Sequence, residues 1–458
     1  AAVYASEATG MNISVGRISL SFPLNLVVTD VDAASPHKDT LLSVRRLQVN
    51  VQLLPLLKKQ VEVDGISLQG ATVNSNDLIH GMRLNGTLGE LFISSHGVAL
   101  DPETAIVNKV LLKDTDLSLC LNDTAAADTA ASDPTYWKII LQDIDLQNVS
   151  FALDMPLDSL SLAASLDNAT LRDGLIDLHK SAYSLQTFRI KNGRVRYDSG
   201  RPSATASADS LSAGLDPSHI ALTDIGVKLD SLYYEGRNMK AVISQFVLKE
   251  RSGVEIVSTE GRLVSNDKVL RVPSLKLETR DSYLELNAAM DWDALDFKKE
   301  GLVSARLMAD IGKPDVVRFM GSMDEKFIRK YPSEPLRIRT GIDGDLNKLK
   351  LTTLTAELPG ALELFAKGEL TSLTDSLLRG GDITLQAETK DLKFISTLAE
   401  GIEIPYGTRL EGKFTMAGPK MGTDLLLMQP EAHAVAAADT IPITVYNDSI
   451  SVADDFKM

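Results

Sequence analysis

Apolar and polar residues alternate along most of this chain. The runs Ser282–Asn287, Ile383–Glu388, Leu336–Arg339 and Leu275–Glu278 all switch at every residue. That period is the signature of strands with one apolar and one polar face. Turn-forming pairs punctuate the runs, among them Asn192-Gly193, Ser252-Gly253, Asn266-Asp267, Asp343-Gly344 and Gly380-Gly381. Such short spacing predicts antiparallel meanders, because a parallel crossover needs a dozen or more residues.

Helical signals are few. Pro314 suits a first helical turn, and Val316, Met320, Met323, Phe327 and Tyr331 then fall three or four apart. One helix is expected from Pro314 to Tyr331. Shorter candidates are Leu392–Leu398 and a turn around Leu53–Lys59. The stretch Asn122–Pro134, rich in Ala, Asp and Thr, reads as an exposed loop.

The strand pattern repeats. Val61–Val73 aligns without gaps with Ile139–Phe151 and Tyr183–Val195, and more loosely with Ala105–Leu117. The starts at 61, 105, 139 and 183 recur after 44, 34 and 44 residues. Toward the other end, Leu307–Phe319 and Leu385–Ile395 share a strand-then-helix pattern. Recurrence on this scale points to an array of one supersecondary unit. Within each copy the apolar residues keep a five-residue beat. A pentapeptide β-helix uses such a beat, but its tight turns demand small residues where this chain has Val, Ile and Leu. A bulge or an Asn/Asp/Gly turn inside a strand explains the change of parity better.

The fold class expected is therefore mainly β: an elongated, curved antiparallel sheet, a taco-like groove of repeating meanders with a few short helices. One apolar face cannot be left in water, so the sheet must close around it. The interior is either filled by side chains or open as a trough. Candidate lining positions are Val61, Val63, Ile66, Leu68, Ile139, Leu141, Ile144, Leu146, Leu185, Phe188 and Ile190. The chain divides into clear repeats over 1–200, continuing β-groove repeats over 201–427, and a tail over 428–458 that leaves the strand rhythm.

Composition narrows the function. The chain has 458 residues, 44% apolar but only 5% aromatic, so the interior is aliphatic. Lys plus Arg is 47 against 62 Asp plus Glu, a net charge of −15 without a basic block, which argues against nucleic acid. The one cysteine, Cys120, cannot form an intrachain disulfide and reads as a small residue on a strand. No run approaches the ~20 apolar residues of a spanning helix.

Catalytic and metal signatures are lacking. The six histidines, at 37, 80, 96, 179, 219 and 433, are too far apart for a local metal pair. Asp343–Asn347 starts like a calcium loop, but Lys348 and Leu354 stand where the loop needs Gly and Glu, so a hairpin turn is expected. No phosphate loop or nucleophile elbow occurs. No enzyme activity and no cofactor are expected.

The opening segment carries a family resemblance. Val15–Pro23, Leu26–Val31, Leu41–Val51 and then Val61–Val73 resemble the amino-terminal strands of the AsmA-like/TamB family. The strands between Ser203 and Asp293 resemble that family's repetitive β-rich body. The resemblance implies a β-groove with an apolar lumen, set in the periplasm and held in the inner membrane by an anchor missing from this chain. It implies phospholipid as cargo and an outer-membrane barrel as a partner. Asp-(Ser/Thr)-apolar triplets, such as Asp158-Ser159-Leu160 and Asp230-Ser231-Leu232, resemble an O-glycosylation signal of bacterial envelope proteins. The expected function is shielding and conducting acyl chains between membranes. The alternative is a filled scaffold that binds strands of outer-membrane proteins during their assembly.

Overall fold

A computed structural model describes residues 11–22, 25–35, 40–51, 63–75, 81–99, 103–122, 136–200, 214–296, 299, 301–320, 325–345, 347–373, 378–397, 406–417, 420–428 and 446–451. The helix expected near Leu53–Lys59 and the loop Asn122–Pro134, beyond Asn122, lie outside them, as does most of the tail after 428. The protein is mainly β. Contacts divide it into two compact units, residues 1–211 with 216–255, and residues 212–215 with 256–458.

The first unit contains β1 (Asn12–Ser21), β2 (Asn25–Ala34), β3 (Thr40–Val51), β4 (Val63–Asn74), β5 (Met82–Ala99), β6 (Thr104–Leu121), β7 (Lys138–Met155), β8 (Leu160–Asp177), β9 (Ala182–Leu185), β10 (Thr187–Ser199), β11 (His219–Glu235) and β12 (Asn238–Glu250). Consecutive strands from β1 to β6 pair antiparallel. So do β7 with β8, β8 with β10, β10 with β11 and β11 with β12. The short β9 lies between the ends of β8 and β11.

One step departs from the expected all-antiparallel meander. Strands β6 and β7 run parallel. The Asn122–Pro134 stretch lies in the connection between them, so residues 122–137 supply the length that a parallel crossover requires. The pairing has a further meaning. Ala105 faces Ile139 and Leu117 faces Phe151, so two sequence copies lie side by side in exact repeat register.

The five-residue beat has a structural cause. The tenth residue of each copy, Gly70, Asp114, Asn148 and Asn192, has a left-handed backbone with φ of 62°, 49°, 51° and 53°. Each adds one residue to its strand. Neighbouring strands add theirs at the same level: Asp30 on β2, Arg45 on β3, Gly89 on β5 and Asp167 on β8 fall between the same paired positions. Because each of these strands gains a residue there, their pairing stays in step while the facing of side chains reverses; at β10–β11 the register shifts instead. On β10 this is visible as exposure at Arg189 and Lys191, then at Arg194 and Arg196. A bulged strand bends and twists more strongly, so the row is a crease across the unit. Asn192-Gly193 is thus a bulge inside β10, where the sequence suggested a turn between strands.

The second unit contains β13 (Glu255–Ser265), β14 (Val269–Thr279), β15 (Tyr283–Asp291), β16 (Val303–Ile311), β17 (Leu336–Gly344), β18 (Lys348–Leu358), β19 (Leu362–Thr371), β20 (Gly380–Thr389), β21 (Arg409–Ala417), β22 (Lys420–Met428) and β23 (Tyr446–Ser451). They form an uninterrupted antiparallel meander. Asp345 fastens the β17–β18 turn by accepting hydrogen bonds from the Asn347 and Lys348 amides, both at 2.7 Å, as the hairpin reading expects. Gly380-Gly381 starts β20 and is not a turn.

The long helix expected over Pro314–Tyr331 is two helices, α1 (Lys313–Met320) and α2 (Glu325–Lys330). Gly321 and Ser322, both poor helix formers, stand between them. The Leu392–Leu398 candidate is a single 3-10 turn at Ile395–Thr397. Its sequence is too short to repay helix nucleation on its own.

Candidate functional site

Side chains that face each other across paired strands point to the same side of a sheet. In the first unit this builds apolar rows that run across the strands. One row is Leu20, Leu26, Val49, Ile66, Ile93, Val110, Ile144, Leu171, Phe188, Leu229 and Ile243. The next is Ile18, Val28, Leu47, Leu68, Leu91, Leu112, Leu146, Ala169, Ile190, Val227 and Phe246. Beyond the crease a third passes through Val15, Val31, Val44, Ala71, Leu88, Thr115, Val149 and Leu166.

The sequence-derived lining positions fall into this pattern. Ile66, Ile144 and Phe188 share the first row, and Leu68, Leu146 and Ile190 share the second. Leu141 pairs with Val107 and Ile139 with Ala105 and Ile176, beyond a second bulge at Gln142. A Cβ on Gly174 would touch both Leu171 Cδ2 and Leu141 Cβ, at 2.8 and 3.4 Å. Residues three apart therefore look to one side here, and Leu141 shares the face of Ile144. Leu185 pairs with Leu232. Val63 lies in β4, and Val61 lies outside the described residues.

Most of these apolar side chains are half-buried, not sealed. Ile66 and Phe151 are 36% and 38% exposed, and Leu20 reaches 66%. Among the described residues of this unit the fully buried apolar ones are Ala33, Leu41, Val44, Ala169, Ala182, Ile225 and Val254, none larger than Leu. No helix lies over the face among the described residues.

The opposite face is polar and fastened by cross-strand bonds. Arg172 spans Asp143 and Asp145, the latter at 3.0 Å. It also donates to the Ile144 and Leu171 carbonyls, both at 3.1 Å. Asn148 Nδ2 donates to Asp114 Oδ1 at 2.9 Å along the crease, and Asn192 donates to Asp167.

In the second unit the same design is tighter. Leu275, Leu286, Leu307, Thr340, Leu354, Ala366 and Leu385 form one row, and Leu277, Leu284, Ala309, Ile338, Ala356, Leu364, Ala387 and Leu410 the next. Along β21 Leu410, Phe414 and Met416 are shielded while Arg409, Glu411, Lys413 and Thr415 are exposed.

One end of this face is covered. Phe327 from α2 and Tyr331 just after it meet Phe394 edge to face and each other at a tilt, with centroids 5.2–5.7 Å apart. They pack with Leu358, Ala361 and Leu392, with Val316, Leu336 and Leu362 around them. Leu336 and Leu362 belong to the terminal apolar row, so the helices stand on the sheet's apolar side. Periodicity singled out Val316, Phe327 and Tyr331. It did not single out Leu358, the last residue of β18, or Ala361 in the turn after it; Leu392 and Phe394 fall in the expected Leu392–Leu398 helix, of which the structure keeps only the 3-10 turn at Ile395–Thr397.

A buried carboxylate anchors α1. Asp315 accepts hydrogen bonds from Thr279, from Ser282 Oγ at 2.6 Å and from Arg318 at 2.9 Å. Arg318 also reaches Asp281 at 2.7 Å. Burial pushes the Asp315 carboxyl upward, but the bonds from Ser282, Thr279 and Arg318 outweigh it and hold the value below 3.8. The arrangement ties the helix to the β14–β15 turn, and each of its groups is satisfied within the network.

Other candidates have structural partners. Cys120 is half-buried on β6, its Sγ 3.2 Å from Asn122 Oδ1. His179 packs at a tilt against Tyr136, with ring centroids 5.3 Å apart, and His219 bonds Asp216. No group of three metal-capable side chains occurs among the described residues. Ser159 lies in the β7–β8 turn, whereas Ser231 is within β11. A concavity of about 590 Å³ over β18–β21 is lined in part by Glu357, Glu363, Glu388, Glu411 and Arg409, positions of the polar rows. Arg409 pairs with Glu388, Lys390 with Glu363 and Arg337 with Glu357, so most of its carboxylates are held in ion pairs. Among the described residues no helix is long and apolar enough to cross a membrane.

Compared with known proteins, the chain matches no family model, no curated protein and no solved structure.

Proposed function

We propose that this protein is a β-groove that shields phospholipid acyl chains and conducts them between two membranes. The single observation that carries this reading is the unbroken apolar rows of the first unit, aligned strand after strand and only half-buried. A chain laid on such a face exchanges contact with water for contact with Val, Ile and Leu, about 0.8 kcal/mol per buried CH₂. Rows that continue from strand to strand offer the same environment at each step. Movement across the strands then needs no catalytic group, in keeping with the absence of a catalytic motif. The resemblance of the opening strands to the AsmA-like/TamB family supports a periplasmic address, inner-membrane anchoring and an outer-membrane barrel partner.

The test is native mass spectrometry of protein purified from membranes. Co-purifying phospholipid is expected. Ile144→Glu places a carboxylate in the middle of the first row and removes the bound lipid. Unchanged loading of a folded Ile144→Glu protein, or no lipid on the parent, rejects the proposal. The filled-scaffold reading draws on the aromatic cluster of the second unit, which is packed solid. It calls for crosslinks to outer-membrane protein strands in the absence of lipid.

A further inference from the structure

Another gathering of rings lies at one end of the strands of the first unit. Tyr136 and Trp137 precede β7, Tyr183 lies on β9, and Tyr233 and Tyr234 stand near the end of β11. They are four of the chain's ten Tyr and one of its two Trp. Pairing brings them together. The Leu178 amide donates to the Trp137 carbonyl at 3.0 Å, and Tyr183 stands opposite Tyr234 with ring centroids 6.1 Å apart. Strands β7, β8, β9, β11 and β12 are neighbours here, so at about 4.8 Å per strand the rim is about 19 Å wide. The four tyrosines are 38–51% exposed, so each rests partly on the protein and presents the rest of its ring. Tyr183 and Tyr234 are in line with Ile139 and Ile176 on the apolar side, whereas Tyr233 faces the other side with Lys240 opposite it.

The charge of this rim differs from that of the chain, which is −15 overall. In residues 136–138, 177–183 and 233–240 the exposed charged side chains are Lys138, Lys180, Arg237 and Lys240. The acids there, Asp177 and Glu235, are half-buried and accept bonds from the Lys180 amide at 3.0 Å and the Tyr233 hydroxyl. The neighbouring Glu103 accepts from the Tyr136 amide at 2.9 Å. We propose that the rim is a docking surface for a bilayer that contains anionic lipid. Tyr and Trp join an apolar body to a polar tip and are drawn to the boundary between lipid tails and headgroups. Lys and Arg beside them attract anionic headgroups. Negative charge farther away than about 10 Å is screened at about 0.1 M salt, so the local cations decide the contact. A protein partner suits the rim less well, because Lys is depleted from protein interfaces and three lysines stand among these rings. The contact is made to headgroups and needs no acyl chain in the apolar rows, so it goes beyond the function proposed above.

The experiment sediments the full chain with vesicles of phosphatidylcholine alone and of equal parts phosphatidylcholine and phosphatidylglycerol. Binding to the mixed vesicles is expected to be at least about tenfold tighter than to phosphatidylcholine, and to weaken as salt rises. Lys180→Gln combined with Lys240→Gln should lower affinity for the mixed vesicles at least about tenfold. Tyr183→Ser combined with Tyr234→Ser should do the same, by removing ring area that would leave water. Leu157→Ser changes an exposed apolar residue at the opposite ends of β7 and β8 and should bind as the parent does. The two lysines are exposed, so their variant keeps the test decisive should the tyrosine variant unfold. No binding to the mixed vesicles, or binding that the lysine changes leave intact, overturns the proposal. Self-association that the tyrosine changes abolish, without vesicle binding by the parent, assigns the rim to a second copy and overturns it too. Rim-dependent vesicle binding by a protein that carries no phospholipid supports the docking surface while rejecting acyl-chain conduction.

Discussion

The crease makes a sharp demand on Asn148. Its φ of 51° lies in the left-handed region, and its side chain bonds Asp114 on the neighbouring strand at 2.9 Å. Asn148→Val faces two costs. A left-handed backbone costs a residue with a Cβ about 1–2 kcal/mol, and more for a β-branched one than for Asn. The lost hydrogen bond adds about 1 kcal/mol. The expected destabilisation is about 2–3 kcal/mol. Asn148→Gly tolerates the backbone and loses only the bond, about 1 kcal/mol. Gln147→Val, one residue earlier and outside the left-handed region, should fall within about 0.5 kcal/mol of the parent. Hydrogen exchange of the β6–β8 amides reads these differences locally, which avoids assuming one cooperative transition for a chain with two units. Exchange should quicken about 30- to 150-fold for Asn148→Val and about fivefold for Asn148→Gly. Equal effects from Val and Gly, or a neutral Val, would show that the left-handed position does not carry the crease.

Two further outcomes follow from the second unit. Asp315→Asn should weaken the cap by about 3 kcal/mol, because it leaves Arg318 with half of its partners and removes a charge from a buried network; protection of α1 amides measures this. Because the folded pKa of Asp315 lies below its ordinary value, its stabilisation is complete above about pH 3.8 and is lost as pH falls through the folded value, so the parent and variant should converge only in acid. Phe394→Ala removes one of three mutually packed rings and should cost about 3–5 kcal/mol, read as loss of near-ultraviolet dichroism and faster exchange at Leu358–Leu362.

Strand existence was legible because it follows from a period of two that survives any tertiary context. Tyr283–Asp291 and Gly380–Thr389 lie where alternation placed them. The parity changes inside the repeats were also legible, since an extra residue is the only local way to keep Ile66, Leu68 and Ala71 on one side. What the pattern could not reveal is that neighbouring strands bulge at one level. That depends on register, and register is a property of pairs. The parallel β6–β7 step was hidden for a different reason. Turn spacing predicts antiparallel pairing only where the connection is short, and here the connection is the one long polar stretch in the repeats. The lining positions on copies 61–73 and 139–151 came into shared rows because the copies themselves align. The cap was half-visible: helical spacing marks α2 and the Leu392–Leu398 segment, but that Leu358 at the end of β18 and Ala361 in the following turn meet them depends on tertiary packing that no local period encodes.

The half-burial of the rows has a thermodynamic consequence on the proposed function. A face of Val, Ile and Leu left partly wet contributes less to folding than a sealed core of the same size. Anything that covers it in the folded state alone must then stabilise that state by mass action. At a ligand concentration a hundred times its dissociation constant the gain is about 2.7 kcal/mol per site, comparable to the cost of Asn148→Val. Lipid loading and the crease would therefore act on the same reserve. The crease keeps the apolar residues on one side so that a chain can bind, and the bound chain returns the stability that an open face gives up. On this view the scarcity of aromatic residues is informative where they are present. Rings gather where the face is closed, at Phe327, Tyr331 and Phe394, while the rows left open are overwhelmingly aliphatic.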